Sequence, residues 1–585
     1  MSKRILMSGN EAIARGAYEA GVKCAAGYPG TPSTEILENY VKYEGVYAEW
    51  STNEKVALEV ATGMSLGGAR ALVTMKHVGL NVALDAFMTL AYTGINAGLV
   101  VISADDPGMH SSQNEQDNRV LGKFAQVPVL EPANSQEAKD FVKEAFAISE
   151  KFDIPVLVRI TTRVAHSKSV VEINENFKPD FIKKPLNVPA AKYVMMPMNA
   201  IRQGKVLLEK QPKLKNFSEA TTLNTEELLS KDVGFITSGI SYEYVKEIFP
   251  DKSVYKLGML NPLPMENLKK FINKHKKVYV VEEMQPFVEE QLKTAGFKVH
   301  GKDIFPIFGE FTPDIIRECF KNKMGLKKQG TGNMNPVPGR PPVLCAGCPH
   351  RGVFYALSKM NLTVTGDIGC YTLGALPPLS AMDTCVDMGA SINHAHGLEK
   401  AGVPNNKIVA VIGDSTFMHS GLTGIANVVY NRGNTLTIIL DNRTTAMTGR
   451  QSHPGAGNTL TGDQTTNIDI EKVVTAMGVQ HIAVVDPYNM KMTKHIIEDM
   501  LTKTGSKVII AKRDCVLINK SKLSVLFEVD SALCGAAGEC FKLGCPAIEK
   551  EAGTGKAFIN PLVCNGCAMC VTLCPKKAIK PKKKV

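Results

Sequence analysis

No stretch of about 18 or more uncharged apolar residues occurs in this chain, which argues against a helical membrane span. The opening residues, Met1 to Asn10, lack the apolar core of a secretory leader, so the sequence predicts a cytoplasmic protein. Solenoid-type tandem repeats are also missing. The net charge is +11, yet no aromatic residues are interleaved with the basic ones, so the stacking platform that nucleic-acid binders use is not there. Much of the excess lies in local runs at Lys183-Lys184, Lys327-Lys328 and Lys576-Lys577 through Lys584. Such runs are solvated surface, and they also steer acidic partners.

What is present is a long soluble-type sequence: 585 residues, 44% hydrophobic and 21% charged. That length exceeds one core and predicts three or four domains. Residues 1 to about 165, in a domain placed at 1–185, alternate strand-like runs (Arg4–Met7 ahead of a turn, then Ala71–Met75, Ala97–Ser103 and Pro155–Ile160) with helical stretches such as Glu54–Leu66. The pattern is that of a doubly wound parallel α/β domain. From 166 to 230 it fades into a polar, Lys-rich connection. A second α/β domain over 186–330 is expected to hold strands near Val233–Thr237, Val254–Lys256 and Lys277–Val281. Gly330–Pro342 reads as a linker. A third, over 331–525, has strands at Ile408–Ile412, Leu436–Leu440 and Val508–Ala511. Residues 526–585 form a short Cys-rich module, holding seven of the 14 cysteines between Cys534 and Cys574. Clustered cysteines in a reducing compartment point to metal rather than to disulfides.

The most informative stretch is Lys407–Thr448. One strand ends in Gly413-Asp414-Ser415, and 26 residues later a second ends in Asp441-Asn442. That spacing is one βαβ crossover, so both ends lie together at the carboxyl edge of a parallel sheet, where such sheets bind ligands. Asp414, the Asn442 side-chain carbonyl and the Thr444 backbone carbonyl make an oxygen ligand set for Mg²⁺ carrying a diphosphate. Gly413 lets the backbone approach the phosphates, and a small residue at Ser415 still leaves room. The arrangement resembles the Gly-Asp-Gly … Asn fingerprint of thiamine-diphosphate enzymes, with Ser415 departing from the commoner Gly. Thr445–Gln451, with Met447, resembles the YGMTGGQ-type stretch of the 2-oxoacid:ferredoxin oxidoreductases.

That family resemblance implies further roles. Glu54, opening a helix ahead of Ala57, Ala61 and Gly63, resembles the carboxylate that bonds the cofactor's pyrimidine ring in acid/base relay; Glu59 is its nearest rival, and a helix-dipole role the plainer alternative. Tyr28–Ser33 resembles a substrate-facing YPxTPS loop in which Thr31 meets the substrate carboxylate; a turn built by Pro and Gly explains it equally. His77, with Lys76 and Asn81, and the loop Asp105–His110 end neighbouring strands and are candidates for the same pocket. Cys345-Ala-Gly-Cys348-Pro-His350 resembles the CxGC stretch opening the diphosphate domain, placing His350 near the diphosphate. No second CxxC pair follows at zinc-site spacing. Asp367, in Gly366–Cys370, is a candidate cofactor residue. Cys24, Cys319, Cys385 and Cys515 read as small buried residues.

Cys564-x2-Cys567-x2-Cys570-x3-Cys574-Pro575 is a bacterial ferredoxin run. Its partner run reads Cys534-x2-Ala537-x2-Cys540-x4-Cys545-Pro546. By the crossover rule Cys564, Cys567, Cys570 and Cys545 hold one [4Fe-4S] cluster. Cys534, Cys540 and Cys574 remain for a second cluster, either [3Fe-4S] or a [4Fe-4S] cluster lacking one thiolate; recruitment of another residue or an empty site are the alternatives.

The fold class expected is therefore three doubly wound α/β domains of thiamine-diphosphate-enzyme type plus a ferredoxin-like α+β module. The resemblance assigns 1–185 to pyrimidine binding, 186–330 to a transketolase C-terminal-like domain and 331–525 to diphosphate and Mg²⁺. It implies oxidative decarboxylation of aryl-pyruvates (indolepyruvate and relatives), with coenzyme A and ferredoxin as co-substrates. A smaller beta subunit in an (αβ)₂ assembly is implied too. The rival readings are a non-oxidative decarboxylase or carboligase, and an electron-transfer subunit of a larger complex.

Overall fold

The computed structural model describes residues 2–181, 183–324, 341–518 and 525–582. It divides into two compact units, Met1–Asn335 and Pro336–Val585. Most of the expected linker, residues 330–340, lies outside the described residues.

In the first unit a seven-stranded sheet takes, in spatial order, Met259–Asn261, Val129–Leu130, Val156–Thr161, Leu99–Asp105, Ala71–Lys76, Cys24–Gly27 and Tyr47–Trp50. Every pairing is parallel except that of Met259–Asn261. Helices cover both faces, so Ala71–Lys76 and Leu99–Asp105 are buried throughout and read as unbroken apolar runs. The first strand, Ser2–Ser8, departs from expectation: it pairs antiparallel with Lys168–Asn174 in a separate ribbon. The turn expected after it is a helix start, because Ser8 and Glu11 form a reciprocal capping box.

The segment expected to be a polar connection contains a 24-residue helix, Pro197–Ala220. Its lysines and internal Pro212 blur the helical signal, since proline removes a backbone bond. Yet Leu207 and Leu214 are buried in the main core. A second sheet, ordered Lys277–Val281, Val233–Ser238, Ser253–Leu257 and Thr225–Glu227, follows. Just past Leu257 the chain crosses to the first sheet as Met259–Asn261. One hydrophobic core runs through both, joining Val73 and Val101 to Ile236 and Val280. A buried ion pair reinforces the join, Arg119 binding Asp117 and, beyond Lys277–Val281, Glu282, while Arg159 binds Asp105 and Glu131 within the first sheet.

The second unit carries an all-parallel six-stranded sheet: Thr384–Cys385, Thr363–Gly366, Ile408–Gly413, Leu436–Asp441, Lys507–Lys512 and His481–Val485. After it come two antiparallel ribbons, Phe527–Val529 with Ile579–Pro581 and Ile548–Lys550 with Ala557–Ile559. Each ferredoxin-type run adds a 3₁₀ turn, Glu539–Leu543 or Met569–Leu573. Together they form the Cys-rich module, in which, among the described residues, 3₁₀ turns stand where the expected α+β fold would have α-helices.

Candidate functional site

Ile408–Gly413 and Leu436–Asp441 are neighbours in register, Gly413 opposite Leu440, so Asp414 and Asn442 emerge side by side at the carboxyl edge. Asp414 is 2% exposed. Its Oδ2 accepts from the backbone N–H groups of Asn442 at 3.1 Å and Arg443 at 2.6 Å, and Oδ1 accepts from that of Ser415 at 2.8 Å. His453 Nε2 lies 3.1 Å from Oδ2. Burial pushes the Asp414 carboxyl up, but His453 and these amides outweigh it and hold the group below the usual carboxylate range. Neighbouring Asp441 moves the other way, to about 6, through burial and the Asp414 charge.

Asn442 Nδ2 donates to His350 Nε2 at 3.2 Å, and its Oδ1 accepts from Thr444 N–H at 3.1 Å. His350 is buried and pushed down to about 4 by that burial, so it is neutral at pH 7. Ser415 Oγ meets Thr445 Oγ1 at 2.8 Å. A Cβ on Gly413 would come within 2.6 Å of the Tyr371 ring, so only glycine keeps this cradle open. A single π-helical turn, Phe417–Gly421, follows directly, a feature that recurs at functional sites. Asp414, Asn442, Thr444, Ser415 and His350 thus converge. Met447 is half exposed. Asp367 is drawn elsewhere: its carboxylate accepts from the N–H groups of Gly389 and Ser391 at the start of the helix Ala390–Lys400. In the structure these bonds make it a helix-end carboxylate.

In the first unit four candidate segments follow four adjacent parallel strands. Thr31 comes after Cys24–Gly27, Glu54 after Tyr47–Trp50, His77 after Ala71–Lys76 and Asp106 after Leu99–Asp105. Glu54 is buried at the start of its helix, whose N-cap Asn53 accepts from Val56 N–H at 2.9 Å. A Cβ on Gly79 would lie 2.5 Å from Glu54 Cγ, so the turn after His77 packs directly on this carboxylate. The rival Glu59 is exposed and paired with Lys55. Lys76 Nζ donates to Ser111 O at 2.6 Å, and Ser111 Oγ donates to Thr31 O at 3.5 Å. Burial brings Lys76 down to about 8 and His77 to about 4.

The cysteines fall into three groups in the second unit. Cys545, Cys564, Cys567 and Cys570 rim one cavity with Leu543 and Ile559. Cys534, Cys540 and Cys574 rim another, with Ala537 and Lys576. Among the described residues no three His, Cys, Asp or Glu side chains converge closely enough to hold a single metal ion. The third group was not legible in sequence. Burial pushes Cys348 to about 12, with further upward pushes from Cys345 and Cys370. Burial pushes Cys370 to about 11, helped by Cys515 and Cys345. Cys515 is buried, as expected, and also acts electrostatically on Cys370; its N–H donates to Asn442 O at 3.0 Å. His453 was missed as well; its one sequence signal is its place two residues after the Thr445–Gln451 stretch.

Residues 15–222 match the family model described as pyruvate flavodoxin/ferredoxin oxidoreductase, thiamine diP-bdg. Residues 367–511 match the thiamine pyrophosphate enzyme, C-terminal TPP binding domain. The chain is 42% identical to indolepyruvate oxidoreductase subunit IorA of Pyrococcus horikoshii, over 98% of this chain and 96% of that one. It is 41% identical to the Methanothermobacter marburgensis subunit of that name, over 99% and 98%. A solved 2-oxoglutarate:ferredoxin oxidoreductase from Magnetococcus marinus aligns with 55% of this chain and 65% of its own, at 18% identity and a TM-score of 0.46. The chain belongs to the indolepyruvate oxidoreductase IorA subunit family, thiamine-diphosphate oxidoreductases acting on 2-oxo acids.

Proposed function

We propose that the chain oxidatively decarboxylates aryl-pyruvates, passing the acyl group to coenzyme A and two electrons, one at a time, to ferredoxin. The observation that carries this reading is that the Asp414–Asn442 site and all three cysteine groups lie within one compact unit. An electron-transfer subunit has no need of the first, nor a non-oxidative decarboxylase of the second. The aryl substrate rests on the name of relatives that span nearly the whole chain.

Thiamine diphosphate would supply a nucleophilic carbon and a cationic ring that takes up the electron pair of the broken bond, and iron-sulfur clusters would take electrons singly. Asp414, Asn442 and the Thr444 carbonyl would hold Mg²⁺ and, through it, the diphosphate. Gly413 and Ser415 leave room for the phosphates, and neutral His350 orients Asn442. Glu54 would hold a proton at the pyrimidine ring. His77, uncharged at pH 7, and the Thr31 hydroxyl would offer hydrogen bonds to substrate. Cys545, Cys564, Cys567 and Cys570 would hold a [4Fe-4S] cluster, and Cys345, Cys348, Cys370 and Cys515 supply the same four-thiolate set beside Asn442. Cys534, Cys540 and Cys574 would hold a [3Fe-4S] cluster. A smaller beta subunit completes an (αβ)₂ assembly.

The test is anaerobic reduction of ferredoxin with coenzyme A present, comparing indolepyruvate, pyruvate and 2-oxoglutarate. Reduction is expected with indolepyruvate and lost in Asp414→Ala. Activity with pyruvate alone would overturn the aryl assignment, and decarboxylation without any electron transfer would overturn the oxidative one.

A further inference from the structure

Arg351 follows His350 on the helix His350–Leu357 and is 2% exposed. A guanidinium remains charged inside a protein, so this is a full cation in the interior of the second unit. Its donors go to backbone carbonyls: Nε to Cys345 at 3.0 Å, Nη1 to Leu543 at 3.1 Å and Gly544 at 2.7 Å, and Nη2 to Leu344. Carbonyls satisfy the hydrogen bonds without neutralising the charge. The comparably buried Arg119 and Arg159 are each paired with carboxylates. The acidic groups that act on Arg351 are thiols, Cys545 and Cys567 from the two ferredoxin-type runs and Cys348 and Cys345 from the neighbouring loop. A buried cation is costly unless anions face it, and here the anions available are those the cysteines hold.

The surrounding bonds place Arg351 at the junction of two cysteine loops. Three successive carbonyls of the Cys345–Cys348 loop are each taken by a side chain: that of Cys345 by Arg351, that of Ala346 by Asn565 at 3.1 Å and that of Gly347 by the Tyr488 hydroxyl at 2.5 Å. Asn565 sits between Cys564 and Cys567. On its other side Arg351 clamps Leu543 and Gly544, which lead directly into Cys545.

We propose that Arg351 is the shared counter-ion of two iron-sulfur clusters, one on Cys345, Cys348, Cys370 and Cys515 and one on Cys545, Cys564, Cys567 and Cys570, and that its charge raises both reduction potentials. This rests on the cluster assignments of the proposed function. Four thiolates outweigh the positive charge of an iron-sulfide core, so each cluster is anionic and becomes more so on accepting an electron. A fixed cation favours the reduced form of each, and does so strongly in a low-dielectric interior. Arg351 is thus a positioning and charge-setting residue that does not touch substrate.

The experiment compares wild type, Arg351→Gln and Arg351→Lys, purified anaerobically as the full chain with its partner subunit. Iron and sulfide content are measured, followed by EPR-monitored redox titration. Arg351→Gln is expected to retain iron and to lower the reduction equilibrium constant of both clusters at least tenfold, about 59 mV for one electron. The cluster at Cys534, Cys540 and Cys574 should shift less. Unchanged potentials at full iron content would overturn the proposal. If Arg351→Gln sheds a cluster, Arg351→Lys decides, because it keeps the charge and gives up most of the carbonyl clamp: near-wild-type potentials support the proposal and a tenfold fall overturns it. Cys515→Ser is the separate control. If it costs no iron, the cluster reading fails rather than the role of the charge.

Discussion

Glu54 and Gly79 illustrate how little space a functional carboxylate needs to lose before it moves. A methyl group at Gly79 would stand 2.5 Å from Glu54 Cγ and 2.7 Å from Oε1, and real β-carbons do not tolerate such contacts. Gly79→Ala is expected to displace the carboxylate and lower kcat at least tenfold, a cost of about 1.4 kcal/mol in the barrier, with the fold intact by circular dichroism. Gly63 on the same helix has nothing within 4 Å of an added Cβ. Gly63→Ala should therefore keep full activity and stabilise the unit by about 0.5–1 kcal/mol in thermal unfolding. His453 gives a second test at this scale. It is buried against Asp414 Oδ2 at 3.1 Å, so His453→Ala removes a side-chain partner of the carboxylate. Losses of this kind cost roughly 10–100-fold in metal affinity, read here as weaker Mg²⁺-dependent binding of thiamine diphosphate by calorimetry.

Single elements determine what a sequence can disclose. The Asp414–Asn442 pair was legible because both residues end strands whose apolar runs are buried on two faces, and one crossover separates them. The ferredoxin-type runs were legible because their ligands lie within one short module. The helix Pro197–Ala220 was not, since its burial comes from a few leucines behind a lysine-rich face and Pro212 interrupts the pattern. The group Cys345, Cys348, Cys370 and Cys515 spans most of the six-stranded sheet in sequence, and only the closing of that sheet gathers it. Within the module, the run from Cys534 to Cys545 departs from its partner at Ala537, which lines the same cavity as Cys534, Cys540 and Cys574. Ala537→Cys supplies the missing thiolate. The expected result is one more iron per chain and loss of the oxidised three-iron EPR signal; the same iron count with no such signal in wild type would show that this cluster already has four irons.

At the scale of the second unit, hydrogen bonds tie the cysteine loops to one another and to Asn442. Cys515 is hydrogen-bonded through its backbone to Asn442 at the diphosphate site. The Cys345–Cys348 loop is bonded to the Cys564–Cys567 loop through Asn565. The cavity of the last group is lined by Lys576, a basic residue suited to an acidic acceptor. Under the proposed cluster assignments, with the three groups acting in series, the middle group is indispensable to electrons that enter beside Asn442. Cys564→Ser weakens only that group, because the other two groups keep all their thiols. With indolepyruvate and coenzyme A, a single turnover should still reduce the cluster nearest Asn442, visible by EPR in freeze-quenched samples, while steady-state ferredoxin reduction falls to background. Asp414→Ala, by contrast, should silence both signals. If Cys564→Ser still reduced ferredoxin at the wild-type rate, electrons would be leaving from the first group directly and the series of cysteine groups would not be the path they take.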